Sequence, residues 1–259
     1  MITSRHNQKL KDIRRLRRSK GDHALLEGPH LVEEAIAAGH ELETVLATPD
    51  WLKTPDGLRV VRHLPIAPLE IEPPLLEELT DSDSPRGILA VARLPRSGIG
   101  SLPIRDGGVY LFLDGMQDPG NLGALARVAE ASGAAGLALS PGTAHPNHPR
   151  ALRASAGSLL RLPVAVGCEA AAVDRHLASV RPRWMALVPR EGEDLWRASL
   201  DGTLVLALGA EGPGLSLALQ ERADLRLTIS IEPPVESLNA TVAAALVLFE
   251  VRRRGLMRS

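Results

Sequence analysis

Two stretches near the end of the sequence carry side chains suited to holding a ligand. They are TLVLALGAEGPGLS at 203–216 and LRLTISIEPPVESLNATVAAALVLFEVRRRG at 225–255. Each begins as an apolar strand and runs into a Gly/Pro-rich loop, and the second loop opens a long helix. Loop backbone at strand ends is where an α/β protein holds a small ligand. The loops offer Glu211, Ser237 and Asn239, which hydrogen-bond well and are poor nucleophiles as they stand. Such a set positions and polarises a substrate. It is not built for covalent catalysis.

Other chemistries are excluded by pattern. No G-x-x-x-x-G-K-[ST] occurs, and the lysines are only Lys9, Lys11, Lys20 and Lys53. The run from Gly209 to Gly214 is GAEGPG, which is not the G-x-G-x-x-G of a dinucleotide site. No G-x-S-x-G elbow is present. His145 and His148 lie in a Pro-rich loop without further obvious ligands, so no metal is expected. Cys168 is the single cysteine, which rules out a disulfide framework and fits a reducing cytoplasm. The basic N-terminus is not followed by an apolar core, so it is not a secretory signal. The apolar run 242–249 is too short to span a bilayer, and no membrane association is expected.

The elements that must position these residues follow from periodicity. A helix is predicted over 7–18, where Leu10, Ile13 and Leu16 recur among Arg and Lys. A strand at 24–26 precedes a helix begun by Pro29 and ended at Gly39. Strands at 43–47 and 58–64, a helix after Pro73-Pro74 and a strand at 87–93 complete a small α/β unit. Residues 95–108, PRSGIGSLPIRDGG, read as a linker. Beyond it, strands are predicted at 109–115, 136–140, 163–166, 184–188, 203–208 and 225–231. Helices fall between and after them, at 121–132, 148–160, 169–180, 216–223 and 237–254, with Asn121 placed as a cap and Gly133 as a stop. That alternation predicts a mostly parallel sheet covered on both faces.

The chain has 259 residues and is 44% apolar, enough for two cores, but only 2% aromatic, so aliphatic side chains must fill them. Its net charge of −1 hides an asymmetry. Residues 1–20 carry Arg5, Lys9, Lys11, Arg14, Arg15, Arg17, Arg18 and Lys20 against Asp12 alone, a local balance of +7. Such a segment suits a polyanion.

Three segments in order resemble a known pattern. They are DPGNLGALARVAEASG at 118–133, LALGAEGPGLS at 206–216, and the stretch from Ile229 through ESLNATVAA. Together they look like the motifs of the SpoU (TrmH-like) RNA ribose 2′-O-methyltransferases of the SPOUT superfamily. RASAGSLLRLPV at 153–164 is similar to a further stretch of that family, and the likeness covers about residues 108–255. The opening ITSRHN and the later LEG at 26–28 resemble the substrate-binding domain that many members carry, which is similar to a small ribosomal RNA-binding protein.

The resemblance implies an RNA-binding domain with a basic arm at 1–94, a linker at 95–107 and a methyltransferase domain at 108–259. It also implies a deep trefoil knot, a homodimer, and S-adenosylmethionine held by the second and third motifs. By position, Gly209, Ile229 and Leu238 match the cofactor-binding residues. Arg127 matches the catalytic arginine, with Asn121, Glu211, Ser237 and Asn239 as its companions. On its helix alone Arg127 reads as an exposed residue paired to Glu130; the order of the motifs reverses that preference. Asn121 and Glu211 are expected to hold one another and fix Arg127. Ser237 and Asn239 are expected to orient the reacting ribose or the knot loop, and Ser237 to cap the last helix instead or as well. The implied reaction is methyl transfer to a ribose 2′-hydroxyl in structured RNA, with ribosomal RNA favoured over transfer RNA. The alternatives are a tRNA ribose methyltransferase and an inactive RNA-binding protein that keeps the fold. One position departs from the family: Pro233 stands where members usually have Gly, and it removes a backbone donor.

Overall fold

The computed structural model describes residues 1–16, 21–80, 85–96 and 98–256. The chain forms two compact units: Met1–Pro95 with His145–Arg161, and Arg96–Ala144 with Leu162–Ser259.

The first unit opens with α1 (Gln8–Leu16), then β1 (His23–Glu27), α2 (Pro29–Ala37) and β2 (Glu41–Ala47). α3 (Pro49–Leu52), α4 (Pro55–Val61), β3 (Leu69–Glu70), α5 (Pro73–Glu77) and β4 (Ile88–Arg93) follow. The sheet order is β1-β4-β2-β3, antiparallel except for β2 with β3.

The expected strand at 58–64 is instead largely α4. Its β-branched Val60 and Val61 favour a strand, but capping decides the conformation. Thr48-Pro49-Asp50 and Thr54-Pro55-Asp56 each start a helix. Thr54 Oγ1 accepts from Gly57 N at 3.0 Å, Pro55 takes the first helical position, and the acid lies in the first turn.

The basic segment is not a free arm. Ile2, Leu10 and Ile13 are buried in one cluster with Leu25, Leu46 and Ile71. Ile2 N donates to Glu70 O at 2.7 Å, and Ile2 O accepts from Glu72 N at 3.1 Å. α1 is therefore an amphipathic helix docked on its sheet. Arg5 and Arg14 both pair with Glu78, and Arg15 lies 3.9 Å from Asp12. The Lys9 and Lys11 side chains have no ion pair among the described residues. Arg17 and Arg18 lie outside the described residues.

The second unit begins with β5 (Val109–Asp114), α6 (Pro119–Ser132) and β6 (Gly136–Leu139). Two short helices, α7 (Pro149–Ser155) and α8 (Ser158–Arg161), then leave it and belong to the first unit. β7 (Val164–Ala165), α9 (Ala170–Leu177), β8 (Arg183–Leu187), β9 (Glu193–Asp194), β10 (Leu204–Gly209), α10 (Leu217–Arg222), β11 (Leu225–Thr228) and α11 (Ala240–Arg253) complete it.

The excursion corrects the expected linear division of the chain. Asn147 Nδ2 donates to Leu94 O at 2.9 Å and to Gly21 O at 3.2 Å. His40 Nε2 lies 2.7 Å from Leu160 O, Arg153 pairs with Glu27, and Arg161 pairs with Glu34. The predicted single helix over 148–160 is broken where Ala156 (φ 47°) and Gly157 (φ 93°) turn left-handed.

The seven strands run in the order β7-β6-β5-β10-β8-β11-β9, and every pairing is parallel. β10 enters between β5 and β8, and β11 enters between β8 and β9. The carboxyl ends of β5 and β10 are thus neighbours at the sheet's centre, with Gly209 in register with Asp114. Aliphatic side chains fill most of the core. Tyr110 and Phe112 are among its largest buried members, and Phe112 meets Trp184 edge to face at 5.2 Å.

α11 packs on α6 and is locked at its far end by a buried carboxylate. Glu250 is 5% exposed. It accepts from Arg253 Nε at 2.7 Å and Nη2 at 2.8 Å, and from Arg254 Nε at 2.7 Å. Arg254 in turn donates to the carbonyls of Leu195, Trp196 and Ala198. The hydrogen bonds from Arg253, then from Arg254, hold the Glu250 carboxyl down at about 2 against an ordinary 4.5. A carboxyl lowered in the folded state stabilises the protein fully above the unfolded value, and that stabilisation fades as pH falls from 4.5 toward about 2. Glu250→Gln should lower the thermal midpoint at neutral pH and flatten the acid limb in that window. Acid melting curves of identical shape for both proteins would contradict this.

Candidate active site

The site is built where β5, β10 and the segment before α11 end. β5 closes on Asp114, and α6 starts at Pro119 with Asp118 as its cap, not Asn121 as expected. Asp118 Oδ1 accepts from Asn121 N at 2.8 Å, which leaves the Asn121 side chain free to work elsewhere. Asn121 Nδ2 donates to Glu211 Oε1 at 2.7 Å. Gly133 ends α6 at φ 93°, the left-handed stop expected of it.

The loop after β10 folds back on itself. Ala210 and Gly214 form an antiparallel bridge, and Gly214 N donates to Ala210 O at 2.9 Å. A Cβ on Gly209 would lie 2.0 Å from the Gly214 carbonyl carbon. Glycine is therefore required here by the loop's own backbone.

α11 also has a different cap from the one expected. It begins at Ala240, and Asn239, not Ser237, accepts from Thr241 N at 2.9 Å and Val242 N at 3.4 Å. The Asn239 amide nitrogen donates to Glu211 Oε1 at 3.3 Å. One carboxylate oxygen thus gathers the amides of Asn121 and Asn239 and ties the three motif segments at the sheet's carboxyl edge.

The remaining residues are placed differently. Ile229 is buried just beyond β11, and Leu238 is half-buried. Ser237 is exposed. Arg127 is exposed on α6, and it forms neither the i+3 pair with Glu130 nor a hydrogen bond to Asn121 or Glu211. Helix geometry accounts for this. Six residues at about 100° each turn Arg127 roughly 120° away from the Asn121 face. The expected fixing of Arg127 by that pair is absent.

Three groups escaped the sequence reading. Asp114 Oδ2 accepts from Ser216 N at 3.1 Å and so anchors the far end of the 210–216 loop. A carboxylate ending a buried strand before Gly115 was the available signal. Ser230 Oγ donates to Asp194 Oδ2 at 2.7 Å, a bond that holds the Asp194 carboxyl below its ordinary value and pins the start of the 229–239 loop. Thr241 Oγ1 is buried without a hydrogen-bond partner among the described residues. That orphan hydroxyl beside the site, with the apolar Ile229 and Leu238, fits a cofactor that has both polar and apolar parts. No cluster of metal-ligating side chains occurs among the described residues, and no helix is long and apolar enough to cross a membrane.

Comparison with known proteins identifies the family. Residues 108–249 match the SpoU rRNA Methylase family, and residues 7–90 match an MRM3-like substrate binding domain. The chain is 31% identical over 266 residues to the 23S rRNA (guanosine(2553)-2′-O)-methyltransferase RlmP of Bacillus subtilis, covering 97% of this chain and 98% of the relative. A crystal structure of an RNA 2′-O ribose methyltransferase superposes with a TM-score of 0.85 at 31% identity over 99% of both chains. The SpoU methyltransferase AviRb of Streptomyces viridochromogenes, solved with AdoMet, gives 0.88 at 24% identity over 98% of this chain and all of that one, a likeness of fold. With one carboxylate joining the three motifs and a relative aligned along almost its whole length, the chain belongs to the SpoU rRNA methylase family of RNA ribose 2′-O-methyltransferases.

Proposed function

We propose that this protein transfers a methyl group from S-adenosylmethionine to a ribose 2′-hydroxyl of ribosomal RNA. The observation that carries the reading is Glu211 Oε1 gathering Asn121 and Asn239 at the carboxyl ends of β5 and β10, while Arg127 remains exposed and uncommitted. Gly209, Ile229 and Leu238 hold the cofactor, the first by shaping its loop and the others as apolar walls. The cofactor supplies a methyl already activated on a sulfonium. The protein's task is to align the ribose oxygen and manage one proton.

A guanidinium holds its proton too tightly to serve as the base. Arg127 therefore acts as a cation that binds the phosphate beside the target ribose and stabilises the oxygen as it loses its proton to phosphate or water. Asn121, Glu211 and Asn239 keep the motif loops in register, and Ser237, exposed beside them, orients the ribose. The 2′-hydroxyl is also what separates RNA from DNA as a substrate.

The strand order, with β10 and β11 inserted between strands laid down earlier, supports a knotted domain. A homodimer is supported by α11, where exposed Val242 and Phe249 share one face with half-buried Ala245 and Leu246. The working compartment is the cytoplasm.

The docked α1 changes how RNA binding is tested. Deleting residues 1–20 would strip Ile2, Leu10 and Ile13 from their core, so charge must be altered without deletion. Lys9→Gln with Lys11→Gln should weaken RNA binding and reduce the slope of log affinity against log salt by about 2, roughly 0.9 for each phosphate no longer neutralised. An unchanged slope would mean that α1 is only a solvated face. The target class is tested by labelling undermethylated total RNA and separating it by size. Label in 23S rRNA is expected, and label confined to tRNA would overturn the ribosomal assignment.

A further inference from the structure

The first unit contains a cavity of about 240 Å³ at the junction of β1 and α2, where residues 27–31 meet Arg86, Ile88 and Arg153. None of these residues belongs to the basic stretch visible in the sequence. The site is assembled from positions far apart in the chain. Gly28, at φ 90°, turns the chain from β1 into α2 and lies against the Arg86 side chain. It stands at the N-cap of α2 with no side chain to accept a hydrogen bond, so the N–H groups of the first turn have no side-chain cap. Arg153 Nη1 is held 2.5 Å from Glu27 Oε2, and the carboxylate is almost wholly buried while the guanidinium is partly open. Arg86 is exposed at the cavity and has no ion pair among the described residues.

The charges select the ligand. Glu27 cancels Arg153 and fixes its orientation, leaving the further N–H groups of its guanidinium to donate. Among the described residues that line the cavity, Arg86 then supplies one net positive charge. A single positive charge with several N–H donors matches a phosphodiester, which carries one negative charge, better than a phosphomonoester or free phosphate, which carries nearly two. Ile88 adds an apolar wall for the flanking sugar. We propose that this cavity takes one backbone phosphodiester of the RNA substrate, gripped by Arg86 and Arg153 and set by Glu27. The proposal rests on the RNA methyltransferase reading above and names where the first unit holds its substrate.

The test uses the full chain, a 23S rRNA transcript and filter binding across a range of KCl concentrations, with Arg86→Gln beside the wild type. The substitution should raise the RNA dissociation constant about tenfold at low salt and flatten the log–log salt slope by about 0.9. Cofactor affinity and the thermal midpoint should not move, because Arg86 is exposed. Equal affinity and slope for both proteins would overturn the cavity alone, since the wild type would still bind RNA. A wild type that does not bind the transcript would overturn the ribosomal reading along with it. A midpoint raised by millimolar inorganic phosphate in the wild type and not in Arg86→Gln would assign the cavity to a free anion, against the proposal.

Discussion

Arg127→Ala should lower methyl transfer by about 10²–10³-fold while leaving S-adenosylmethionine affinity within about twofold of wild type. That range is typical when one preorganised donor to a developing oxyanion is removed. The two effects separate because Arg127 has no hydrogen bond or ion pair, among the described residues, with the residues that bind the loops together. Its exposure on α6 means that the fold does not need it, so the thermal midpoint should hold. Arg127→Lys keeps the charge and loses the planar fork that grips a phosphate through two bonds, and should recover only part of the loss. Single-turnover methylation with a saturating RNA transcript measures the step. Near-normal turnover in Arg127→Lys with an unchanged pH profile would contradict the assigned role.

The second large effect is expected at Gly209. A methyl group there would sit 2.0 Å from the Gly214 carbonyl carbon and 2.1 Å from Leu215 N. Backbone cannot yield as a flexible side chain can, so Gly209→Ala must expel the 210–215 loop. The Ala210–Gly214 bridge would go, and with it the Asp114 bond to Ser216 N and the position of Glu211. Cofactor affinity should fall by about 100-fold or more, and the free protein should lose about 1–3 kcal/mol. The loss in the free protein is the discriminating part. If Gly209 served only to let a ligand approach, the ligand-free protein would melt unchanged. Calorimetric titration and thermal melting of the same preparation measure both quantities.

Much of the architecture was legible because periodicity reports burial. The parallel strands and the Gly133 stop were readable from apolar runs and punctuation, and the order of the motifs from the family resemblance. The failures have physical causes. Residues 58–64 were read as a strand, yet the twice-used Thr-Pro-Asp start outweighs the strand preference of β-branched Val60 and Val61. Asn121 and Ser237 were read as caps, whereas Asp118 and Asn239 hold those positions, since several adjacent residues can cap and only geometry chooses among them. The excursion at 145–161 was invisible. Its apolar face is periodic, but periodicity does not say which core a helix joins. Its partners Gly21, Glu27 and Glu34 lie more than a hundred residues away. The pairing of Asn121 with Glu211 became readable only through the motif order, because no local pattern links a helix start at 121 to a loop at 211, and the Asn239 bond to the same carboxylate was not read at all.

The measurement that tests the central claim most directly is the chemical identity of the product. Undermethylated ribosomal RNA is incubated with the protein and methyl-labelled S-adenosylmethionine, then digested to nucleosides and resolved. Label in a 2′-O-methyl nucleoside, absent when Arg127→Ala replaces the wild type, is the predicted result. Label on a base would contradict the assigned chemistry while keeping the fold. No label in any RNA, from protein that binds the cofactor, would contradict the assignment of an enzyme.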